Sequence, residues 1–204
     1  MTHLQKLGGI AAFINVIVVM ATLATVIFLI GFSAIADPSK LIDLAIHNPT
    51  PLLIQDGLKL VSAGISTVLI LALGNYLQCD TPGLLSVATK FGFLSVLCLV
   101  GNAILSLYAI FQASTYDRAA SSSNHLHNMI GILAVAAISL DGLWFLLMSW
   151  TALKSQKLPN FLCYLGLGMG ILSLVPPLGI IVLMLSMVWS VWMGQVLLKE
   201  ESTG

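Results

Sequence analysis

Asp141 is the residue whose position most clearly suggests chemistry, because it is the only charged residue between Met129 and Leu153. This apolar stretch is long enough to cross a bilayer, and a charged group at mid-membrane depth costs about 2.5 to 3.5 kcal/mol on insertion scales. An acid at that depth is a candidate functional site, and the chemistry available to it is the binding of a proton or a cation. The alternative is a structural acid, protonated or hydrogen-bonded to a neighbouring helix, that fixes helix packing.

Two further polar residues are predicted at depths that bring them near Asp141. Asn102 lies slightly beyond the centre of another apolar stretch, and Lys59 lies about 9 Å outward of the centre of its own stretch. The long side chain of Lys59 can extend toward mid-membrane. These residues predict an intramembrane polar site formed by Asp141, Asn102 and Lys59. A local pairing competes with this site, because Asp56 precedes Lys59 by three residues and lies on the same helical face.

A second candidate site consists of histidines near the two longer polar loops, namely His47, His125 and His127. Histidine is a common ligand of metals and haem, so these residues predict a metal or haem site on the outer face. The His-x-His spacing of His125 and His127 puts both rings on one side only if the backbone is extended, since on a continuous helix the rings diverge. The alternative interpretation is that all three are interfacial histidines without a ligand.

The composition identifies the class of protein that must position these residues. Hydrophobic residues make up 58% of the 204 residues, charged residues make up 8%, and the mean hydropathy is +1.03. Globular domains contain about 25% charged residues, so the sequence predicts an integral membrane protein whose main partner is the lipid bilayer. The eight basic and eight acidic residues cancel and form no run, which excludes a nucleic-acid surface.

Six apolar segments divide the chain at approximately 8–34, 52–77, 84–112, 127–153, 160–175 and 178–198. Backbone polar groups in lipid must bond within the protein and no barrel-strand alternation is present, so each segment is predicted to be a helix. We expect a single all-α domain over residues 1–204, a polytopic bundle of six transmembrane helices. The fifth segment is the shortest, but one helix over 160–198 would be nearly twice too long, and Pro177 would break it.

The basic residues near the ends of the segments predict the orientation of the bundle. With a cytoplasmic N-terminus, the inner side holds Lys6, Lys154, Lys157 and Lys199, and the outer side holds Lys40, Lys59 and Arg118. We therefore expect a multi-pass protein of the plasma membrane with both termini in the cytoplasm. In the first outer loop, Pro38 is suited to begin a short helix, and apolar residues at 41, 42, 45 and 46 give it one apolar face. This helix is predicted to lie along the membrane interface.

Gly166 and Gly170 form a Gly-x-x-x-Gly pair in the fifth segment, a spacing that lets two helices approach closely. The pair predicts close packing either inside this chain or between two membrane-protein subunits. The sequence contains no Gly-x-Ser-x-Gly elbow, phosphate-binding loop, zinc-protease helix or dinucleotide fingerprint. We therefore expect no enzyme activity, and no cofactor apart from the metal or haem considered for the histidines.

The order of several short motifs resembles a known family. The motifs are Asn-Pro-Thr-Pro-Leu-Leu at 48–53, His-Leu-His at 125–127, Lys-Leu-Pro-Asn at 157–160 and Leu-Gly-Leu-Gly at 165–168. In this layout the chain is similar to a bacterial family of six-span integral membrane proteins that is catalogued as a domain of unknown function. The resemblance covers most of the chain and implies a six-helix bacterial membrane protein, with no functional residue to carry over.

Three functions are consistent with these features. The first is a non-enzymatic accessory or self-associating membrane subunit that acts through packing, because the chain has short loops and no soluble domain. The second is a small proton- or cation-linked transporter or channel that uses Asp141. The third is an outer-face metal or haem protein that uses the histidines. A cavity that reaches Asp141 would favour the second function, because an acid sealed among apolar side chains cannot exchange ions readily.

Overall fold

The computed structural model describes residues 3–31, 38–77, 82–115, 124–175 and 178–199. Within these ranges every regular element is helical. The helices are α1 (His3–Ala24, continued by a π-helical segment, Thr25–Ile30), α2 (Pro38–His47), α3 (Thr50–Tyr76), α4 (Pro82–Thr115), α5 (Asn124–Ser155), α6 (Asn160–Ser173) and α7 (Gly179–Lys199). The predicted all-α architecture is confirmed. Arg118, which the orientation prediction uses, is not among the described residues.

Five helices in the described ranges are long and apolar enough to cross a membrane. They comprise α1 with its π-helical continuation, α3, α4, α5 and α7. Helices α4 and α5 extend two or three residues beyond the predicted apolar segments at both ends, because helical hydrogen bonding continues where the side chains become polar. The fifth predicted segment corresponds to α6, which has 14 residues and ends at Ser173 rather than at 175.

The long helices and α6 form a ring in chain order. The contacts run from α1 to α3, α4, α5, α6 and α7, and α7 packs against α1. At the beginning of α1, Gly8 lies against Ala72 near the end of α3, and Gly9 lies against Leu198 near the end of α7. The start of α1 and the end of α7 are therefore at the same end of the bundle.

The interior of the ring is apolar for most of its length. Its largest cluster of buried residues includes Ile70, Leu73, Trp144, Met148, Leu162, Trp189 and Met193. Large apolar side chains also cover the outside, and Phe28 and Phe111 are 81% and 71% exposed. An outer surface of this kind is stable where it faces lipid, because hydrocarbon chains solvate it.

The amphipathic helix predicted in the first loop is present as α2. It packs against α4, and Leu41 and Ala45 of its apolar face line a cavity together with Leu52 and Ile110. Burial of these apolar side chains against the bundle stabilises α2, whose length of 10 residues is marginal for an isolated helix. At the opposite end, the Tyr76 hydroxyl donates a hydrogen bond to the Lys157 carbonyl at 3.2 Å. This bond joins the end of α3 to the connection between α5 and α6.

Helix α6 approaches α5 closely through its glycines. A Cβ atom added to Gly170 would lie 2.5 Å from Cγ of Leu146 and 2.8 Å from the carbonyl oxygen of Gly142. A Cβ atom on Gly166 would overlap the hydroxyl of Ser149. The Gly-x-x-x-Gly pair therefore packs inside this chain, which is the first of its two predicted uses.

We expect Gly170→Ala to lower the free energy of unfolding by about 1 to 3 kcal/mol, because its Cβ atom cannot fit between α5 and α6 without moving backbone. Gly168→Ala is the matched control, since a Cβ atom there meets nothing within 4 Å. Alanine at 168 should leave the stability unchanged or raise it by up to about 1 kcal/mol through helix propensity. Denaturant titration in mixed micelles measures both changes. Equal effects of the two substitutions would contradict the close packing.

Candidate functional site

Asp141 lines a cavity of about 130 Å³ inside the ring. Residues of α1, α3, α5, α6 and α7 contribute to its wall. Asn15, Ser62, Asp141 and Ser190 each lie near the middle of a membrane-length helix. Because these helices pack side by side, the cavity lies near the mid-depth of the bundle. We call it the central cavity.

Polar side chains from four helices occupy part of the wall of the central cavity. The amide nitrogen Nδ2 of Asn15 donates a hydrogen bond to Oγ of Ser190 at 2.9 Å, which joins α1 to α7. Ser186 donates to the carbonyl of Leu183 in its own helix at 2.7 Å. The remaining polar contributions are the hydroxyls of Ser62 and Ser66 from α3 and the carboxyl of Asp141 from α5. The cavity is therefore polar enough to hold water or an ion.

The Asp141 carboxyl is partly buried, and among the described residues no hydrogen bond or ion pair reaches it. It is also the only ionisable side chain among the described residues of the wall. A charged group removed from water is stable only when paired, hydrogen-bonded or solvated. In the described part of the chain, an Asp141 carboxylate therefore has no counter-charge, and a proton or a cation that enters the cavity would neutralise it.

An aromatic cluster forms another part of the wall. The ring centroids of Trp144 and Phe145 are 4.7 Å apart, and those of Phe145 and Trp189 are 5.1 Å apart, both in edge-to-face arrangements. The three side chains are buried and all border the central cavity. Among the described residues, Nε1 of Trp144 has no hydrogen-bond acceptor. The central cavity thus combines one acid with a rigid aromatic surface.

Lys59 and Asn102 form a separate polar network. Nζ of Lys59 donates hydrogen bonds to Oδ1 of Asp56 at 2.7 Å and to Oδ1 of Asn102 at 3.0 Å. Nδ2 of Asn102 donates to the carbonyl of Ile130 at 2.8 Å, so the network joins α3, α4 and α5. Asp56 is 2% exposed, and its Oδ2 has no hydrogen-bond partner among the described residues.

The structure thus brings two of the three predicted intramembrane residues together and leaves the third apart. Lys59 bonds with Asn102 and pairs locally with Asp56, which is the competing interpretation of the sequence. No hydrogen bond or ion pair joins Lys59 to Asp141 in the described part of the chain. Asn15 was not identified from the sequence. Its only distinguishing feature there is that it is a lone amide in a long apolar run.

The three histidines lie apart from the central cavity. Nδ1 of His47 is 3.1 Å from both the carbonyl oxygen and Oδ1 of Asp43 at the exposed end of α2. His127 lines the cavity beneath α2, of about 160 Å³, and His125 is exposed at the start of α5. In the described ranges, no three side chains of the His, Cys, Asp or Glu type come together as metal ligands. Among the described residues, the three histidines therefore do not come together as ligands of the predicted metal or haem site.

Comparisons of this chain with models of protein families, with curated proteins and with solved structures found no match. A function is consequently inferred from the central cavity and from the groups that line it.

Lys59→Met should lower the free energy of unfolding by about 3 kcal/mol, because it leaves the buried carboxylate of Asp56 without its cation. The double substitution Asp56→Asn with Lys59→Met should recover most of the loss, since no buried charge remains. Asp43→Asn, which changes the exposed contact with His47, should cost less than about 1 kcal/mol. Denaturant titration in mixed micelles compares the three proteins. A Lys59→Met loss no larger than that of Asp43→Asn would contradict a stabilising network.

Proposed function

We propose that this protein is a small transporter or channel that binds a proton or a cation at Asp141. The observation that carries the proposal is the position of Asp141 in a polar cavity at mid-depth, without a cationic partner among the described residues. Binding sites of many transporters lie near the bilayer midplane, between helices that contribute polar groups. A carboxylate facing such a cavity is suited to exchange a proton or a cation.

The size of the central cavity supports exchange at this acid. One water molecule needs roughly 10 to 15 Å³ of cavity volume on this measure, and the central cavity has about 130 Å³. It therefore has room for several water molecules or for one small cation. The serine hydroxyls and the Asn15 amide supply the hydrogen bonds that such occupants require.

We further propose that six helices cross the plasma membrane of a bacterium, with both termini in the cytoplasm and α2 at the outer interface. The start of α1 and the end of α7 lie at the same end of the bundle, which supports an even number of crossings. The five long helices alone give an odd number, and α6 as a further crossing makes the number even. At about 21 Å, α6 spans much of the hydrocarbon core, and local thinning of the bilayer accommodates the rest.

The proposed transport function explains more of the interior than an accessory function does. A protein that acts through packing alone does not need an acid in a polar cavity, and such an acid costs stability. The Gly166 and Gly170 pair, for which a contact between subunits was the alternative to packing inside the chain, lies against α5. The separate positions of the three histidines, His47, His125 and His127, do not support a metal or haem function.

Flux measurements on purified protein in lipid vesicles test the proposal. Wild-type protein should carry a proton, sodium, potassium or small organic cation current above that of empty vesicles. Asp141→Asn should lower this flux at least about tenfold, because the amide cannot hold a proton or balance a cation. Asp43→Asn is the control, since it removes one acid from the exposed helix α2 and should retain wild-type flux.

Two results would overturn this function. One is full flux through folded Asp141→Asn protein. The other is a complete absence of cation flux from wild-type protein together with a stoichiometric partner that co-purifies in mild detergent, which would establish the accessory-subunit function instead.

A further inference from the structure

We infer that the central cavity selects a small methylated ammonium ion rather than a dehydrated alkali ion. The inference rests on the proposed function, since it names the class of cation that Asp141 would bind. It also depends on three further properties of the cavity, which are its charge, its wall and its volume.

When Asp141 is ionised, its charge is matched by a ligand with one positive charge. Asp141 is the only ionisable residue of the described wall, and Lys59 already donates to Asp56 and Asn102 elsewhere. A monovalent cation beside Asp141 leaves the site neutral, which is the state that a low-dielectric interior favours. An anion would repel the carboxylate, and a divalent cation would leave an excess positive charge.

The wall of the cavity favours an organic cation over an alkali ion. A dehydrated alkali ion needs a shell of oxygen ligands, such as the carbonyl rings of potassium channels. Here the neutral oxygens are hydroxyls rather than a ring of carbonyls, and two of them are held by hydrogen bonds, since Ser190 accepts from Asn15 and Ser186 donates within its own helix, so only their remaining lone pairs can face a ligand. Much of the rest of the wall is the aromatic cluster with apolar residues such as Leu69 and Met169. Aromatic side chains attract quaternary ammonium ions, whose methyl groups also suit an apolar wall.

The volume of the cavity limits the size of the ligand. A cavity of about 150 Å³ in another protein admits benzene, and the central cavity, at about 130 Å³, is slightly smaller. Tetramethylammonium, which is comparable in size to benzene, is therefore near the upper limit. Cations with longer alkyl chains are excluded unless the helices separate.

Equilibrium dialysis of labelled tetramethylammonium against purified full-length protein in detergent tests the inference. We expect saturable binding with one site per chain, which an equal concentration of sodium does not displace. The absence of saturable binding, or displacement by equimolar sodium, would overturn it. This assay requires no transport, so binding without flux would reject the proposed function alone, and proton or sodium flux without binding would reject this inference alone.

Substitutions of single residues test whether the bound cation occupies the central cavity. Asp141→Asn should weaken binding at least about tenfold, and Trp189→Leu should weaken it several-fold through loss of the aromatic face. Trp192→Leu is the matched control on the same helix, because Trp192 is 45% exposed and does not line the cavity. It should bind as wild type does. Equal affinity in Asp141→Asn, Trp189→Leu and Trp192→Leu would place the bound cation elsewhere and overturn the inference.

A size series needs no variant and remains decisive if a substitution prevents folding. For the central cavity, affinity should fall from tetramethylammonium to tetraethylammonium and be lost with tetrabutylammonium. For adsorption to detergent or to the apolar outer surface, affinity should rise in the same order, because more apolar area is buried. A rising series would overturn the inference.

Discussion

A hydrocarbon bilayer offers no hydrogen bonds, and this constraint determines where each polar side chain of the bundle lies. Asn15 bonds with Ser190 across the first and last helices of the ring, and Ser95 of α4 donates to the carbonyl of Ala137 in α5 at 2.9 Å. Each of these polar groups is satisfied by another helix, so the bonds fix which helices are neighbours as well as relieving the cost of burial. Asp141 differs from these groups, since no described residue bonds with it and it faces a cavity instead. The ring therefore accommodates an acid that has no described partner by placing it at a cavity between the helices.

The two polar regions of the interior have opposite properties. In the network of α3, α4 and α5, Lys59 commits two of its three donor hydrogens to Asp56 and Asn102, and Asn102 is 2% exposed. Such a region holds helices together and leaves little room for a ligand. The central cavity contains free volume and an acid that has no cationic partner among the residues that the structure describes. Lys59, the single lysine of α3, pairs locally with Asp56 and does not reach Asp141. This division explains why the two acids Asp56 and Asp141 are expected to serve different purposes.

The sequence predicts the helices well, because the requirement for internal backbone bonding makes a long apolar stretch almost unambiguous. It also predicts that Asp141 lies at mid-depth, since depth follows from counting along a helix. The hydrogen-bond partners of a buried side chain do not follow from this counting, because they depend on how each helix is rotated about its axis. Lys59 has a partner three residues away in Asp56, so the local pair competes successfully with any contact that requires α3 and α5 to be rotated toward each other. The bond of Asn15 with Ser190 spans 175 residues and follows only from the closure of the ring.

That closing bond also has a consequence for how the protein is made. Ribosomes synthesise α1 long before α7, and the two helices meet only after the five helices between them have been produced. Until then the central cavity lacks one wall, and Asn15 has no Ser190 to receive its hydrogen bond. A nascent chain thus carries the polar side chain of Asn15 without its partner, and lipid or the insertion machinery must accommodate it. The site is assembled in one late step, so under the proposed function an unfinished chain cannot dissipate an ion gradient through it.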